Sequence, residues 1–205
     1  MPGRILRIGW RAFALAWLCA GAVGAVAATS PMERTRQVLE EARRIVDSPK
    51  THNEKLADLS VLLKGFLDTD TMGREALGDH WTKFSPAQRQ EFLQLFRELF
   101  QRTYVQKLLL FEKPDFGYVG ENVNGTQARV ETKIITPRDE FAVTYQMRLE
   151  EGVWKATDIQ IEDLSLTNNF RRQLARLLEK ESPAELLARM RRKYGPGGAG
   201  SEDEL

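Results

Sequence analysis

The hydrophobic residues of this 205-residue chain change their spacing at Pro114. In the segment before it, apolar residues recur about every 3.6 residues, as on the buried face of a helix. From Asp115 to Glu162, apolar and polar residues alternate instead, as in strands whose two faces differ. Proline interrupts a helix, so Pro114 marks the boundary between the two patterns. The sequence therefore predicts an α+β domain, in which helices pack over one face of a twisted antiparallel sheet.

Capping residues predict where the helices begin. Ser30, Ser85 and Ser182 are each followed by Pro and, three positions after the Ser, by Glu or Gln, the pattern of a capping box. Thr51 begins a fourth box, and Thr167 is predicted to cap a helix that carries Phe170. The helix after Ser85 is expected to run from Pro86 to about Phe111.

Three turns predict that the sheet has four strands. They lie at Asn124-Gly125, at 136–139 and at Glu151-Gly152, and each separates two alternating segments. The apolar face of the sheet would take the helices, and the polar face would meet water.

The two ends of the chain differ in composition from its middle. Arg4, Arg7 and Arg11 precede an uncharged run that ends in Ala25-Val26-Ala27, which is typical of a cleaved signal peptide. An uncleaved anchor is the alternative. We expect a signal peptide at 1–27, one domain at 28–194 and a Gly-rich, acidic, disordered tail at 195–205. The only cysteine, Cys19, would be lost with the leader.

Charge and motifs exclude several classes of function. Removing the three leader arginines from 30 basic and 29 acidic residues leaves 27 against 29, so a nucleic-acid partner is not expected. With two histidines and no cysteine after the leader, neither a metal site nor a catalytic residue is predicted. One alternative is a small enzyme that uses Asp158, beside Trp154, in an apolar pocket. The other interpretation is that Asp158 faces water or caps a neighbouring backbone group.

The helices carry more apolar surface than one sheet face requires. The segments 56–66, 92–111 and 170–178 are all rich in Leu and Phe, although one layer of helices would cover four strands. The surplus indicates either a well-packed core or a cavity for an apolar ligand.

Two blocks of sequence resemble the MlaC family, the periplasmic phospholipid-binding subunits of the Mla lipid-transport system, also called toluene-tolerance proteins. The first is A-L-G-D-H-W at 76–81 with S-P-A-Q-R at 85–89 and F-L-Q-L-F-R-E-L-F-Q-R-T-Y at 92–104. The second is G-V-W-K-A-T-D-I at 152–159 with E-D-L-S-L at 162–166. The likeness extends from about Ser30 to Lys193. It departs at Asp163, where the family usually has Gly.

The resemblance implies a carrier without catalytic activity in the periplasm of a Gram-negative bacterium. Its cargo would be a bound phospholipid, and it would have no cofactor. Its partners would be an inner-membrane ABC transporter of the Mla type and an outer-membrane lipoprotein complex, in a pathway that maintains outer-membrane lipid asymmetry. The chain is expected to be a monomer. A relative specialised for hopanoids would look similar.

Two sets of residues are candidates for binding. Leu164 and Leu166 match the apolar loop of the family, and periodicity adds the remaining cavity candidates. The predicted lipid-binding set is Phe96, Phe100, Tyr104, Leu108, Val130, Ile134, Phe141, Val143, Tyr145, Leu164, Leu166 and Phe170. Arg171, Arg172 and Arg176 lie near the start of a helix, where the macrodipole disfavours cations, so they are candidates for contact with a lipid headgroup or a partner.

Overall fold

The computed structural model of the protein describes residues 29–109 and 114–196, apart from the side chain of Lys107. The predicted signal peptide and the tail from position 197 onward lie outside the described residues. Within these ranges, no helix combines the length and the apolar composition that are needed to span a bilayer.

Helices form the first half of the described chain and close the domain at its end. The predicted caps at Ser30, Thr51, Ser85 and Ser182 all accept a hydrogen bond from the backbone N–H three positions later. The helical elements are α1 (Pro31–Asp47), α2 (His52–Lys64), α3 (Thr69–Leu77), a 3₁₀ helix (Gly78–Lys83), α4 (Pro86–Phe100), a π-helix (Gln101–Val105), α5 (Gln106–Leu108), α6 (Leu166–Leu178) and α7 (Pro183–Tyr194).

Two helix predictions were wrong in detail. The long helix that begins at Pro86 is not regular to its end, because α4 passes at Gln101 into a π-helical turn that continues to Val105. Helix α6 is capped by Ser165 rather than by Thr167, since the Ser165 hydroxyl accepts the N–H of Asn168. Thr167 is instead the second residue of the helix.

Five antiparallel strands form one sheet in sequential order. They are β1 (Asp115–Asn124), β2 (Gln127–Ile135), β3 (Glu140–Glu150), β4 (Val153–Ile161) and β5 (Leu164–Ser165). The three predicted turns join the first four strands. At the β3–β4 turn, Glu151 and Gly152 both have positive φ, as a type I′ hairpin requires.

The fifth strand corrects the prediction of four. The chain reverses at Glu162, whose positive φ of 52° forms a tight turn, and Leu164 then pairs with Ile161. Two residues are too few to show an alternating pattern, so this strand could not be predicted from periodicity. This short strand brings Ser165 to the start of α6.

The helices pack on the apolar face of the sheet, as predicted. Helix α1 lies against β1 and β2, while α3 and α6 lie against β4. Helix α4 is sandwiched between α3 and α7, and its Phe92, Phe96 and Phe100 are almost completely buried. The chain after α2 also pairs with Ala156 of β4 through two backbone hydrogen bonds. The N–H of Asp68 donates to the carbonyl of Ala156, and the N–H of Ala156 donates to the carbonyl of Phe66. These bonds fix Phe66 and Leu67 against the sheet.

Candidate functional site

An apolar cavity of about 320 Å³ lies between the sheet and the helices α1, α2 and α4. Its volume is at the lower end of the ~300–1,000 Å³ that is usual for ligand pockets. Nearly every side chain around it is hydrophobic. The lining residues are Val38, Leu39, Ala42, Arg43, Val46, Leu63, Phe66, Leu67, Phe100, Tyr104, Val105, Leu108, Pro114, Phe116, Ile134, Phe141, Val143, Tyr145, Ile159, Ile161 and Leu166.

The sheet supplies one wall through its alternating inner face. Phe141, Val143 and Tyr145 are spaced two apart on β3, so they point to the same side of the sheet. Val143 pairs with Ile161 of β4, and Tyr145 pairs with Ile159. The wall is therefore continuous across two strands.

The π-helical turn supplies the opposite wall. Phe100, Tyr104 and Leu108 are four residues apart and lie along one side of the helix, and Val105 joins them from within the π-helix. The rings of Phe100 and Tyr104 are 5.1 Å apart between centroids. Single π-helical turns are frequent at functional sites, where they redirect side chains.

Phe66 and Tyr145 are buried side chains that meet in the cavity lining. Their rings meet edge to face with centroids 5.7 Å apart. Tyr145 is almost fully buried, and burial raises the pKa of its hydroxyl above the usual value, while its hydrogen bond with Thr132 opposes the rise. The phenol therefore stays neutral, and it adds a polar atom without adding charge.

Arg43 is the only charged residue that lines the cavity in the described part of the chain. It projects from α1, and its Nη1 donates to Asp115 of β1 over 3.1 Å. A second link joins the same two elements, because the hydroxyl of Tyr118 donates to Glu40 over 3.0 Å while the Arg36 guanidinium lies 3.9 Å from the Tyr118 ring centroid. Polar contacts thus fasten α1 to the edge of the sheet beside the cavity.

Eight of the twelve predicted lipid-binding residues line the cavity. They are Phe100, Tyr104, Leu108, Ile134, Phe141, Val143, Tyr145 and Leu166.

The other four lie elsewhere. Phe96 and Phe170 belong to the packed core, where their rings meet at a centroid distance of 5.0 Å. Val130 is completely buried and lies four residues before Ile134, the residue of β2 that reaches the cavity. Leu164 is 46% exposed, since β5 turns its side chain towards solvent.

The contribution of α1 to the cavity was not predicted. Val38, Ala42 and Ile45 are buried at helical spacing, so the amphipathic stripe was visible in the sequence. Which element that stripe covers depends on tertiary packing, which periodicity does not reveal. Phe66 and Leu67 were also missed as lining residues, because they follow the end of α2 in an irregular segment.

The three candidate arginines do not line the cavity. Arg171 donates from Nε to the carbonyl of Glu75 over 2.8 Å, and it therefore satisfies a backbone group near the end of α3. Arg172 contacts Asn169, one turn before it on α6. Arg176 is exposed in the last turn of α6, so the prediction that it lies near the helix start was wrong.

Asp158 lies outside the apolar cavity and caps α6. Its two carboxylate oxygens accept hydrogen bonds from the Ser165 hydroxyl over 2.6 Å and from the Thr167 N–H over 3.0 Å. It borders a polar cleft together with Arg129 and Gln146. The apolar pocket that the enzyme alternative required is therefore not found at Asp158. Among the described residues, no group of three or more His, Cys, Asp or Glu side chains is arranged to hold a metal ion.

Comparisons with known proteins agree with this geometry. The model of the MlaC protein family matches residues 33–192. A solved structure of a phospholipid-binding protein from Ralstonia solanacearum, in complex with a phospholipid, is similar in fold, with a TM-score of 0.68 and 20% sequence identity. The alignment covers 77% of this chain and 92% of that one. A search of curated proteins gives no match.

Proposed function

The chain belongs to the MlaC family, and from this premise we propose that it is a periplasmic carrier that binds a phospholipid and moves it between the inner and outer membranes. The carrier would receive or deliver its cargo at an inner-membrane Mla-type transporter and at an outer-membrane lipoprotein complex. A cleaved signal peptide at 1–27 would export it. No step of this function requires a bond to be broken.

The observation that carries the proposal is the apolar cavity. A diacyl lipid holds roughly 30 methylene groups, each worth about 0.8 kcal/mol when it leaves water. A carrier that crosses an aqueous compartment must therefore offer a surface nearly as apolar as the bilayer. The wall formed by β3, β4 and the π-helical turn offers such a surface, and its contacts are non-directional, as acyl chains require.

The rim of the cavity supports entry of a flexible chain. Phe116, Ile134, Phe141 and Ile161 line the cavity and are only half-buried, so apolar side chains extend from its interior to solvent. Acyl chains entering past these residues would remain in contact with hydrophobic surface throughout.

The candidate arginines of α6 are better suited to a protein partner than to the headgroup. Three further cations belong to the same region. We call the six residues together the basic surface: Arg74, Lys83, Arg89, Arg171, Arg172 and Arg176. Arg74 and Arg89 lie over the Trp81 ring, and Arg171 lies beside Gly78, so these three arginines surround the 3₁₀ helix. Among the described residues, no ion pair joins these cations to a carboxylate. We propose that the basic surface docks on an acidic surface of a transport partner.

A comparison of two neighbouring residues tests the carrier function. Ile161 and Leu164 pair across β4 and β5, yet Ile161 lines the cavity and Leu164 does not. The wild-type protein, purified from a Gram-negative host and extracted with solvent, should yield phospholipid in the mass spectrum. Ile161→Glu should reduce loading roughly tenfold or more, because it places a charge against acyl chains.

Leu164→Glu is the matched control, and its loading should equal that of the wild type. Lipid-free wild-type protein from such a host would contradict the proposal. Recovery of hopanoid in place of phospholipid would assign the chain to the specialised branch of the family. If both variants carried as much lipid as the wild type, the lipid-binding site would lie outside this cavity.

A further inference from the structure

Among the described residues, a single cation stands at an otherwise hydrophobic site. Arg43 lines the cavity together with Leu39 and Val46 of the same helix, and its side chain retains 40% of its exposure. The guanidinium therefore touches both the apolar interior and solvent. A lipid whose chains fill the cavity would bring its polar end to this boundary.

The charge of Arg43 is only partly compensated. Nη1 donates to Asp115 over 3.1 Å, and Nε lies 3.8 Å from Asp47. Arginine presents five N–H donors in a planar fork. Within the part of the chain that the structure describes, Nη2 donates to neither carboxylate, so it remains available to a further anion.

Asp115 has a second partner that holds it in place. Its Oδ1 accepts the N–H of Phe116 over 3.0 Å as well as the Arg43 Nη1 donor. Because Phe116 lines the cavity, the carboxylate is fixed at the same boundary as Arg43. A negative group approaching Arg43 would meet the attraction of the guanidinium and the repulsion of Asp115 together.

We propose that Arg43 binds the phosphate of the lipid headgroup, and that Asp115 weakens this contact so that the lipid can leave. The proposal rests on the carrier function and adds the residue that contacts the phosphate and the carboxylate that weakens this contact. A guanidinium recognises phosphate through paired, charge-assisted hydrogen bonds, whereas a neutral amphiphile of equal apolar area gains nothing from it.

Two lipids with identical acyl chains test the proposal. Dioleoylphosphatidylglycerol carries a phosphate, and dioleoylglycerol does not. Delipidated full-length protein is titrated with each lipid in competition with a fluorescent fatty acid. The measured quantity is the affinity for dioleoylphosphatidylglycerol divided by the affinity for dioleoylglycerol. For a half-exposed guanidinium, the wild-type ratio should fall about three- to fivefold in Arg43→Gln. Arg44→Gln, an exposed change of equal charge next to it, should leave the ratio unchanged.

Asp115→Asn should change the ratio in the opposite direction, raising it by about two- to threefold. This variant keeps the acceptor for the Phe116 N–H, and it decides the question alone if Arg43→Gln does not fold. An unchanged ratio in Arg43→Gln, or an unchanged or lower ratio in Asp115→Asn, would overturn the role of Arg43 and leave the carrier function intact.

Two further results separate the possible sources of failure. Binding of neither lipid by the wild type would contradict the carrier function, and with it this inference. Inorganic phosphate, added at the concentrations used for the lipids, should not displace the probe. Displacement would show that the anion site acts without acyl chains, against the proposed lipid ligand.

Discussion

The Ser165 hydroxyl donates a hydrogen bond of 2.6 Å to Asp158, and the same hydroxyl accepts the N–H of Asn168. Asp158 also accepts the Thr167 N–H. Two side chains thus satisfy two N–H groups in the first turn of α6 and tie that turn to β4. Because Leu166 lines the cavity from this turn, the network also positions part of the cavity wall.

Asp158→Ala should lower the free energy of unfolding by about 1–2 kcal/mol, because it removes one acceptor of the α6 cap and leaves the Ser165 hydroxyl without its partner. Urea denaturation measures the change. Asp163→Ala, an exposed carboxylate five residues later, is the control and should be nearly neutral. If the wild type converted a lipid chemically, and Asp158→Ala lost this activity without losing stability, the result would instead favour a catalytic role for this carboxylate.

Gly73→Ala should destabilise the protein by about 1–3 kcal/mol, although alanine normally favours a helix over glycine. A Cβ at Gly73 would lie 3.0 Å from Cδ1 of Phe96 and 3.1 Å from Cδ2 of Leu93, and Phe96 is completely buried. Gly120→Ala is the control, since a Cβ there meets no atom within 4 Å. Thermal unfolding of the two variants should therefore differ, and equal melting temperatures would contradict the close packing of α3 on α4.

Tyr118 should make stability fall at alkaline pH. Burial and the hydrogen bond to Glu40 raise the pKa of its hydroxyl from its usual 10.0 to about 12. The unfolded chain loses this proton first, so stability is full below about pH 10 and decreases as the pH rises towards 12. Melting temperatures of wild type and Tyr118→Phe should converge over this range as the wild type loses its advantage. A constant difference across the range would show that the phenol titrates equally in both states.

Arg172→Gln combined with Arg176→Gln should slow lipid exchange with the Mla-type transporter in proteoliposomes by roughly three- to tenfold, because charges at the edge of an interface mainly affect association. Lipid loading of the isolated protein should not change, since neither residue lines the cavity. Arg44→Gln with Arg138→Gln removes the same charge from α1 and from the β2–β3 turn and serves as the control. Slowing in the control of equal size would indicate a net-charge effect and remove the basic surface from the interface.

Local signals predicted most of the fold. The Ser-Pro capping boxes placed three helix starts correctly because a cap depends on residues within one turn. Helix α3 escaped prediction, since Asp68 caps it without a capping box and Gly73 interrupts its apolar stripe. The π-helical turn was equally invisible, because Gln101–Val105 has the composition of an ordinary helix.

The candidate site was predicted less completely because core and cavity use the same side chains. Phe96 and Phe100 are four residues apart on one helix, and both are nearly fully buried, yet only Phe100 lines the cavity. The difference comes from Phe170, whose ring packs closer to Phe96. Arg43 carried no periodic signal, and a cation at the edge of an apolar site is recognised only after α1 has been placed on β1.

The sequential order of the sheet has a consequence for how the chain acquires its structure. Strands β1 to β4 each pair with the next strand, so their loops close over short distances at small entropic cost. Helix α1 is different, because its bonds to the sheet join positions 78 and 89 residues apart. During synthesis α1 emerges long before β1, so only the part of its apolar stripe that packs on α2 has a partner before the strands exist. The cavity wall that α1 forms is therefore completed late, although α1 is the first of the described helices to be synthesised.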